Sequence, residues 1–476
     1  MKKIAFFLLI WSLFVFPARA AEYKSTEEQQ KSVAVSVYNN NLGLIKDVRS
    51  VDLKPGTLTL QFMDVAGQIN PVTVHMKSLT SPEKFSVLEQ NYEYDLLNPQ
   101  KLLDKYVGRN VKLVEKNYYT GEEKTYDAKV LSNNNGTIFQ IGNEIHVNAP
   151  GAIVFPEIPE NLIAKPTLIW LVSNREKKPQ DIEVSYLTSG LNWKCDYIAV
   201  INEESTRADL NGWVTIDNRS GAAYSNAKIK LVAGEVNRVH DQYPQAAGKA
   251  RLLMEKSDSA FQEESFFEYH LYTLERPSTL RNNQTKQIEL FSAADIPIRE
   301  RLIYYGAPYY YRNQYTGEFQ SHDKVNVFLE IENSKANNLG MPLPAGIIRA
   351  YKKDSEGSLQ FIGEDRIDHT PKNEKFKIRM GESFDIAASR KQTDYRILSR
   401  NSGQRFDTEQ EWEINLRNHK EKPAEVEVIE PIPGDWQIIS SSHNFEKTEA
   451  NTVKFTVKLK KEETQTVKYR VRIRYY

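Results

Sequence analysis

Residues 186–239 read YLTSGLNWKCDYIAVINEESTRADLNGWVTIDNRSGAAYSNAKIKLVAGEVNRV, and the alternation inside them decides the fold class. Trp193, Cys195 and Tyr197 alternate with Asn192, Lys194 and Asp196. An extended chain therefore sets the first three on one face and the polar three on the other. Asn218-Arg219-Ser220-Gly221 has the composition of a hairpin turn. The stretch predicts consecutive β-strands with an aromatic face turned to a core. Cys195 is then a small buried apolar residue rather than a nucleophile, and Ser220 a turn residue.

Outward from this stretch the same pattern recurs, and the chain reads as mainly β and multi-domain. Toward the N-terminus, residues 22–31 are polar and predict an unstructured lead. Alternating runs separated by Asn39-Asn40-Asn41 and Lys54-Pro55-Gly56-Thr57 follow, giving a small β module over 32–100. Asn98-Pro99 opens a short helix through Tyr106. Short strands with tight Gly- and Asn-containing turns over 101–160 predict a small SH3-like β-barrel. A central β-sandwich is expected over 165–400, interrupted near 240–265 by a polar excursion rich in Gln, Ser, Glu, Lys and Ala. Strand spacing over 405–476 predicts a C-terminal immunoglobulin-like sandwich. Its last strand carries Lys468, Arg470, Arg472 and Arg474 on one face. Glu411 and Glu413, or Glu425 and Glu427, alternate in the same way and are expected to pair with them across the sheet.

The N-terminus carries an address. Lys2 and Lys3 precede an apolar run from Ile4 to Phe16, Pro17 breaks it, and Ala18-Arg19-Ala20 supplies small residues for a signal peptidase. Residues 1–20 read as a secretory signal peptide cut before Ala21, because the run falls short of the roughly 20 residues a spanning helix needs. The expectation is an exported protein, periplasmic or extracellular, peripheral to the cell envelope, with no transmembrane helix in the mature chain. Lysine plus arginine and aspartate plus glutamate are equal at 63 each, which leaves no global field to recruit nucleic acid.

Catalytic signatures are sparse. Eight histidines are scattered singly and there is one cysteine, so no short-range zinc spacing exists and no cofactor or metal is expected. The densest ionisable cluster is Gly363 to His369. Glu364, Asp365, Asp368 and His369 there could serve acid–base chemistry in an envelope hydrolase. An exposed strand edge with internal ion pairs reads the same. The run Tyr304 to Tyr315 is the strongest binding candidate: Tyr309, Tyr310, Tyr311 and Tyr315 offer flat area, and Arg312 and Asn313 offer hydrogen bonds. Gly306 and Pro308 place it on a loop. Sugar stacking or protein contact is one reading, and a loop packing its own tyrosines is the other. The partner classes that fit are a polysaccharide or another envelope protein.

The opening stretch resembles the family numbered 4139 among domains of unknown function, on Tyr186, Gly190-Leu191, Trp193, Tyr197, Leu210, Gly212-Trp213, Asn218, Ser220-Gly221, Tyr224 and Asn226-Ala227. A second match lies at Leu343-Pro344-Ala345-Gly346, Arg349, Tyr351 and Gly363 to Pro371, and a third over Glu411 to Trp436. The resemblance implies secreted β-rich architecture and no particular activity. Relatives labelled mucoidy inhibitors carry an N-terminal coiled coil, where this chain has β-patterned residues. Non-catalytic binding or scaffolding is therefore the expected role, with the hydrolase as its rival.

Overall fold

Strands make up 64% of the described residues, which contain one α-helix, as a sequence of alternating runs and turn residues requires. The computed structural model describes residues 21–93, 98–117, 119–148, 151–159, 165–234, 236–237, 261–266, 269–315, 324–400 and 406–475. The signal peptide expected over 1–20 and the polar excursion expected near 240–265, as far as residue 260, lie outside the described residues. At 261–265 the excursion has already ended: strand Phe261–Phe266 pairs antiparallel with Tyr269–Leu274. Two compact units are present, each discontinuous in sequence. Met1–Asn192, Asp217–Val232 and Arg276–Lys286 form the first; Trp193–Ile216, Ala233–Glu275 and Gln287–Tyr476 form the second.

In the first unit, strand Thr167–Asn174 runs antiparallel between Gly56–Phe62 and Phe85–Glu93. Ala21–Ser25 adds parallel to Gly56–Phe62. The lead expected to be unstructured is thus partly a strand, because ladder bonds come from the backbone and ignore side-chain polarity. A second ladder joins Gln30–Tyr38, Leu42–Val51, Gln180–Thr188 and His75–Ser78, with Tyr224–Ala233 parallel to Gln30–Tyr38. The two sheets meet at Arg49, which is buried. Its Nε and Nη2 donate to Asp47 at 3.0 and 2.8 Å, and Nη1 donates to the Ser25 carbonyl at 2.9 Å. The guanidinium lies 3.6 Å over the Phe62 ring. Ser25 and Phe62 belong to the first sheet and Arg49 to the second, so one paired cation ties the layers together.

The segment between the two halves of this unit is a separate small sheet. Asn98 caps helix Pro99–Tyr106 by accepting from Lys101 N at 2.9 Å, with Pro99 in the first turn. Five strands follow in the order Glu144–Val147, Ile138–Ile141, Glu123–Ser132, Asn110–Lys116, Ala152–Val154. Tyr106 packs with Val111, Leu113, Ala128, Val130 and Phe139. The ladder does not close: Glu144–Val147 and Ala152–Val154 remain its edges. The expected barrel is an open sheet, since tight turns dictate which neighbours pair but not whether the first and last strands meet.

The second unit contains a ten-stranded sheet. Gly346–Lys353 lies parallel to Leu191–Ile201, and Ala424–Pro431 lies parallel to the long strand Gln284–Tyr305. A four-stranded sheet is built from Ile386–Arg400, Phe406–Asn418, Thr464–Tyr475 and Asp435–Ser441. Trp412, Ile414, Leu416, Tyr469, Val471 and Ile473 share one core with Leu302, Tyr304, Val426, Val428 and Phe455. The C-terminal sandwich therefore draws strands from before the boundary expected at 405. Trp193, Cys195 and Tyr197 are buried, as their alternation predicts. Trp193 packs edge-on to Tyr272, and Tyr197 donates to the Pro344 carbonyl at 2.6 Å.

Four buried asparagines end strands in a common way. Asn174 Nδ2 donates to the carbonyls of Leu53, Lys54 and Glu176, and its Oδ1 accepts from Glu176 N at 2.9 Å. Asn218 donates to Ala222, Leu280 and Arg281 and accepts from Ser220 N at 3.1 Å. Asn418 donates to Lys422 and Lys460 and accepts from Lys420 N at 3.0 Å. Asn333 does the same for Met341, Thr370 and Pro371, accepting from Gly340 N. At Asn174, Asn218 and Asn333 the amide satisfies carbonyls in buried surroundings that would otherwise lack a donor, and at Asn418 the carbonyls are part-buried. A sequence signal accompanies two of them: residues 174–184, NREKKPQDIEV, and 418–428, NHKEKPAEVEV, share Asn, Lys, Pro, Glu and Val at five of eleven aligned positions.

Candidate functional site

The tyrosine run begins where strand Gln284–Tyr305 ends and continues into the 3₁₀ turn Pro308–Tyr311. Pro308 suits the first position of the turn because it needs no N–H partner there. Tyr310 and Tyr311 are only 2% and 0% exposed, so these two of the six expected binding residues are core. The Tyr311 hydroxyl donates to Glu430 Oε2 at 2.5 Å and lies 2.7 Å from the Tyr469 hydroxyl. Burial pushes the Tyr311 phenol well up, and the Glu430 charge pushes it further. Glu430 is paired in two places with Arg390, through Nη1 at 2.7 Å and through Nη2, with neither side chain exposed. The Arg390 guanidinium carbon lies 4.6 Å from the Tyr310 ring centre and 5.6 Å from those of Tyr304 and Trp412. At Gly306 a Cβ would collide with both the Glu430 carboxylate and the Arg390 guanidinium, so the chain can pass this pair only as glycine.

Further hydrogen bonds fix the rest of the run at the surface. The Tyr311 carbonyl accepts from Gln410 Nε2 at 2.7 Å and from the Tyr475 hydroxyl at 2.6 Å. Tyr315 N donates to Gln392 Oε1 at 2.9 Å, and its hydroxyl donates to the Tyr309 carbonyl at 3.3 Å. Tyr309 is 56% exposed, its ring centre 4.5 Å from that of Tyr310. Arg312 and Asn313 are exposed and Tyr315 partly so. The site is thus an aromatic ledge of Tyr309, Tyr315, Arg312 and Asn313 standing on a packed turn.

The Gly363–His369 cluster is placed on strand Leu359–Ile367 and the turn after it. Glu364 pairs with Arg349 Nε at 3.1 Å, and Arg349 also holds Asp196 at 3.1 Å. Asp365 accepts from the backbone N–H groups of Arg366 at 2.8 Å and Arg379 at 2.7 Å. His369 Nδ1 accepts from Ala345 N at 3.2 Å, and Asp368 is exposed. Two of the three carboxylates are engaged in joining strands. Cys195 is buried, and burial pushes its thiol up to about 12. The Ser220 hydroxyl is buried between Asn218 Oδ1 and the Tyr224 hydroxyl, at 2.8 Å from each. Among the described residues no group of three His, Cys, Asp or Glu side chains converges as a metal site requires.

The expected cross-sheet pairing in the C-terminal sandwich is present. Glu411 stands opposite Arg470 and Glu413 opposite Lys468. Arg470 holds Glu411 at 2.8 Å and Glu409 and Asp394 at 3.1 and 3.0 Å. Glu425 and Glu427 belong to the other sheet, where they pair with Arg299 and Arg301 instead.

One further concavity was not anticipated. In the first unit, Asn40, Asn41, Gly190, Asn192, Asp217 and Arg219 line an open polar cleft of about 420 Å³. Both Asn39-Asn40-Asn41 and Asn218-Arg219-Ser220-Gly221 read as turns, but nothing local in the sequence says that they meet.

Fold and site together define a mainly β, multi-sheet sandwich protein whose exposed aromatic ledge rests on a buried ion pair. Compared with known families, the chain belongs to Domain of unknown function (DUF4139), matched over residues 182–475, more than half its length. No curated protein matches the chain. No helix among the described residues is long and apolar enough to cross a membrane.

Proposed function

We propose that this protein is exported and acts in the cell envelope by binding, with the Tyr309 ledge as the surface that engages an envelope polysaccharide. The single observation that carries the reading is the ledge itself. Tyr309 stays exposed while its neighbours Tyr310 and Tyr311 are fixed in the core. A ring held this way loses little freedom on binding, which is where preorganised sites gain affinity. Arg312 and Asn313 beside it supply donors and acceptors for hydroxyl groups at the edge of a stacked sugar. The export part rests on the leader composition of residues 1–20.

Two experiments test the parts separately. Fractionation with N-terminal sequencing should find the mature chain outside the cytoplasm starting at Ala21; an uncleaved cytoplasmic chain contradicts export. Co-sedimentation with isolated envelope polysaccharide should be weakened about tenfold by Tyr309→Ala and be unaltered by Asp368→Asn/His369→Gln. Release of new sugar reducing ends that depends on Asp368 and His369 would favour the hydrolase and contradict the binding reading.

A further inference from the structure

The polar cleft of the first unit is a second and chemically different place, and reading it goes beyond the ledge. Its backbone is locked at three points. Gly190 N donates to Asn41 Oδ1 at 2.7 Å, Arg219 N donates to the Gly190 carbonyl at 2.6 Å, and Gln68 Nε2 donates to the Arg219 carbonyl at 2.8 Å. Gly190 has φ +83°, and a Cβ there would lie 2.7 Å from the Arg219 carbonyl, so the two turns can touch only through glycine. Asn40 and Asn41 also take left-handed φ values of 71° and 58°, which asparagine tolerates best after glycine.

On this rigid floor the side-chain ends are left available. Asn40, Asn192 and Arg219 are exposed, and none makes a side-chain hydrogen bond or ion pair with another described residue. Asp217 receives the Thr285 hydroxyl on Oδ1, leaving Oδ2 open. The cleft thus presents one guanidinium, one carboxylate oxygen, the two amides of Asn40 and Asn192, and the Nδ2 of Asn41. The guanidinium fork matches a ligand carboxylate. The amides and Asp217 match hydroxyls. Asp217 and Arg219 line the same cleft, so their formal charges cancel and a dianion such as phosphate gains no net field there. A monoanion with vicinal hydroxyls can use the guanidinium, the amides and the carboxylate oxygen together.

We infer that this cleft binds an acidic sugar, a uronate unit carried free or within a polymer, with its carboxylate on Arg219 and its hydroxyls on Asn40, Asn192 and Asp217. The test is calorimetric titration of the full mature chain with galacturonate, tetragalacturonate, maltotetraose and inorganic phosphate. Tetragalacturonate is expected to bind and maltotetraose and phosphate at least tenfold more weakly. Binding of the monomer with comparable strength assigns the site to a free uronate; binding of the tetramer alone assigns it to a polymer segment. Arg219→Gln is expected to weaken the acidic ligand at least tenfold and Asn192→Ala several-fold, with the thermal midpoint unchanged in both. The inference is overturned if neither uronate binds, if maltotetraose or phosphate binds as well, or if Arg219→Gln binds like the wild type. Loss of uronate binding in Tyr309→Ala would also overturn it by moving that binding to the ledge.

Discussion

Arg390 and Glu430 sit where an unpaired charge costs most, with neither side chain reaching solvent. Taking both from water is expensive, and removing one partner alone leaves an uncompensated buried charge. Arg390→Met should therefore lose about 3–5 kcal/mol of stability, read as a lowered urea midpoint, while Arg390→Met/Glu430→Met recovers most of it. A single variant as stable as wild type contradicts the network. Cys195 offers a cleaner probe: with its thiol at about 12, the folded chain should resist iodoacetamide at pH 8 and react fully once unfolded. Rapid labelling of the native protein contradicts its burial. Cys195, Trp193 and Tyr197 were legible in the sequence because a strand's period of two sorts faces without tertiary knowledge. Tyr310 and Tyr311 were not, since a loop has no period and their burial depends on Glu430, Tyr469 and Trp412, all remote in sequence.

At the scale of elements, the strand-end asparagines are what the local pattern left unread. Asn218 and Asn418, both buried, each hold carbonyls of two neighbouring segments. Replacing either by Ala should cost about 1–3 kcal/mol, more at Asn218, whose Ala222 and Leu280 acceptors are buried, than at Asn418, whose acceptors are part-buried. Asn418→Asp should do no better, because it keeps the acceptor and loses the Nδ2 donors. Chemical-denaturation midpoints within error of wild type contradict this role. Helix Pro99–Tyr106 was readable from its cap and proline, and the Glu411–Arg470 ladder from matched alternation. The open five-stranded sheet was not, because closure depends on curvature that turn residues do not encode.

For the whole molecule, the pairing of Thr167–Asn174 with Gly56–Phe62 and of Leu302–Tyr305 with Val426–Ile429 shows why boundaries were the least legible feature: sheets recruit strands across any module that interrupts them. Global stability should fail on the alkaline side. Burial raises the phenols of Tyr186, Tyr197, Tyr311 and Tyr469 well above their ordinary value. Unfolded tyrosines ionise near pH ~10, so above that pH the native state binds more protons than the unfolded state and stability falls as pH rises. The contribution is complete below pH ~10, and the loss approaches about 1.4 kcal/mol per pH unit for each such group. A urea midpoint flat from pH 9 to 11 contradicts their burial. The central claim, that a core-anchored tyrosine ledge binds envelope polysaccharide, is tested most directly by the affinity of wild type, Tyr309→Trp and Tyr309→Ala for that polymer at matched thermal midpoints. The account predicts that tryptophan preserves binding and alanine weakens it about tenfold; equal affinity in all three contradicts it.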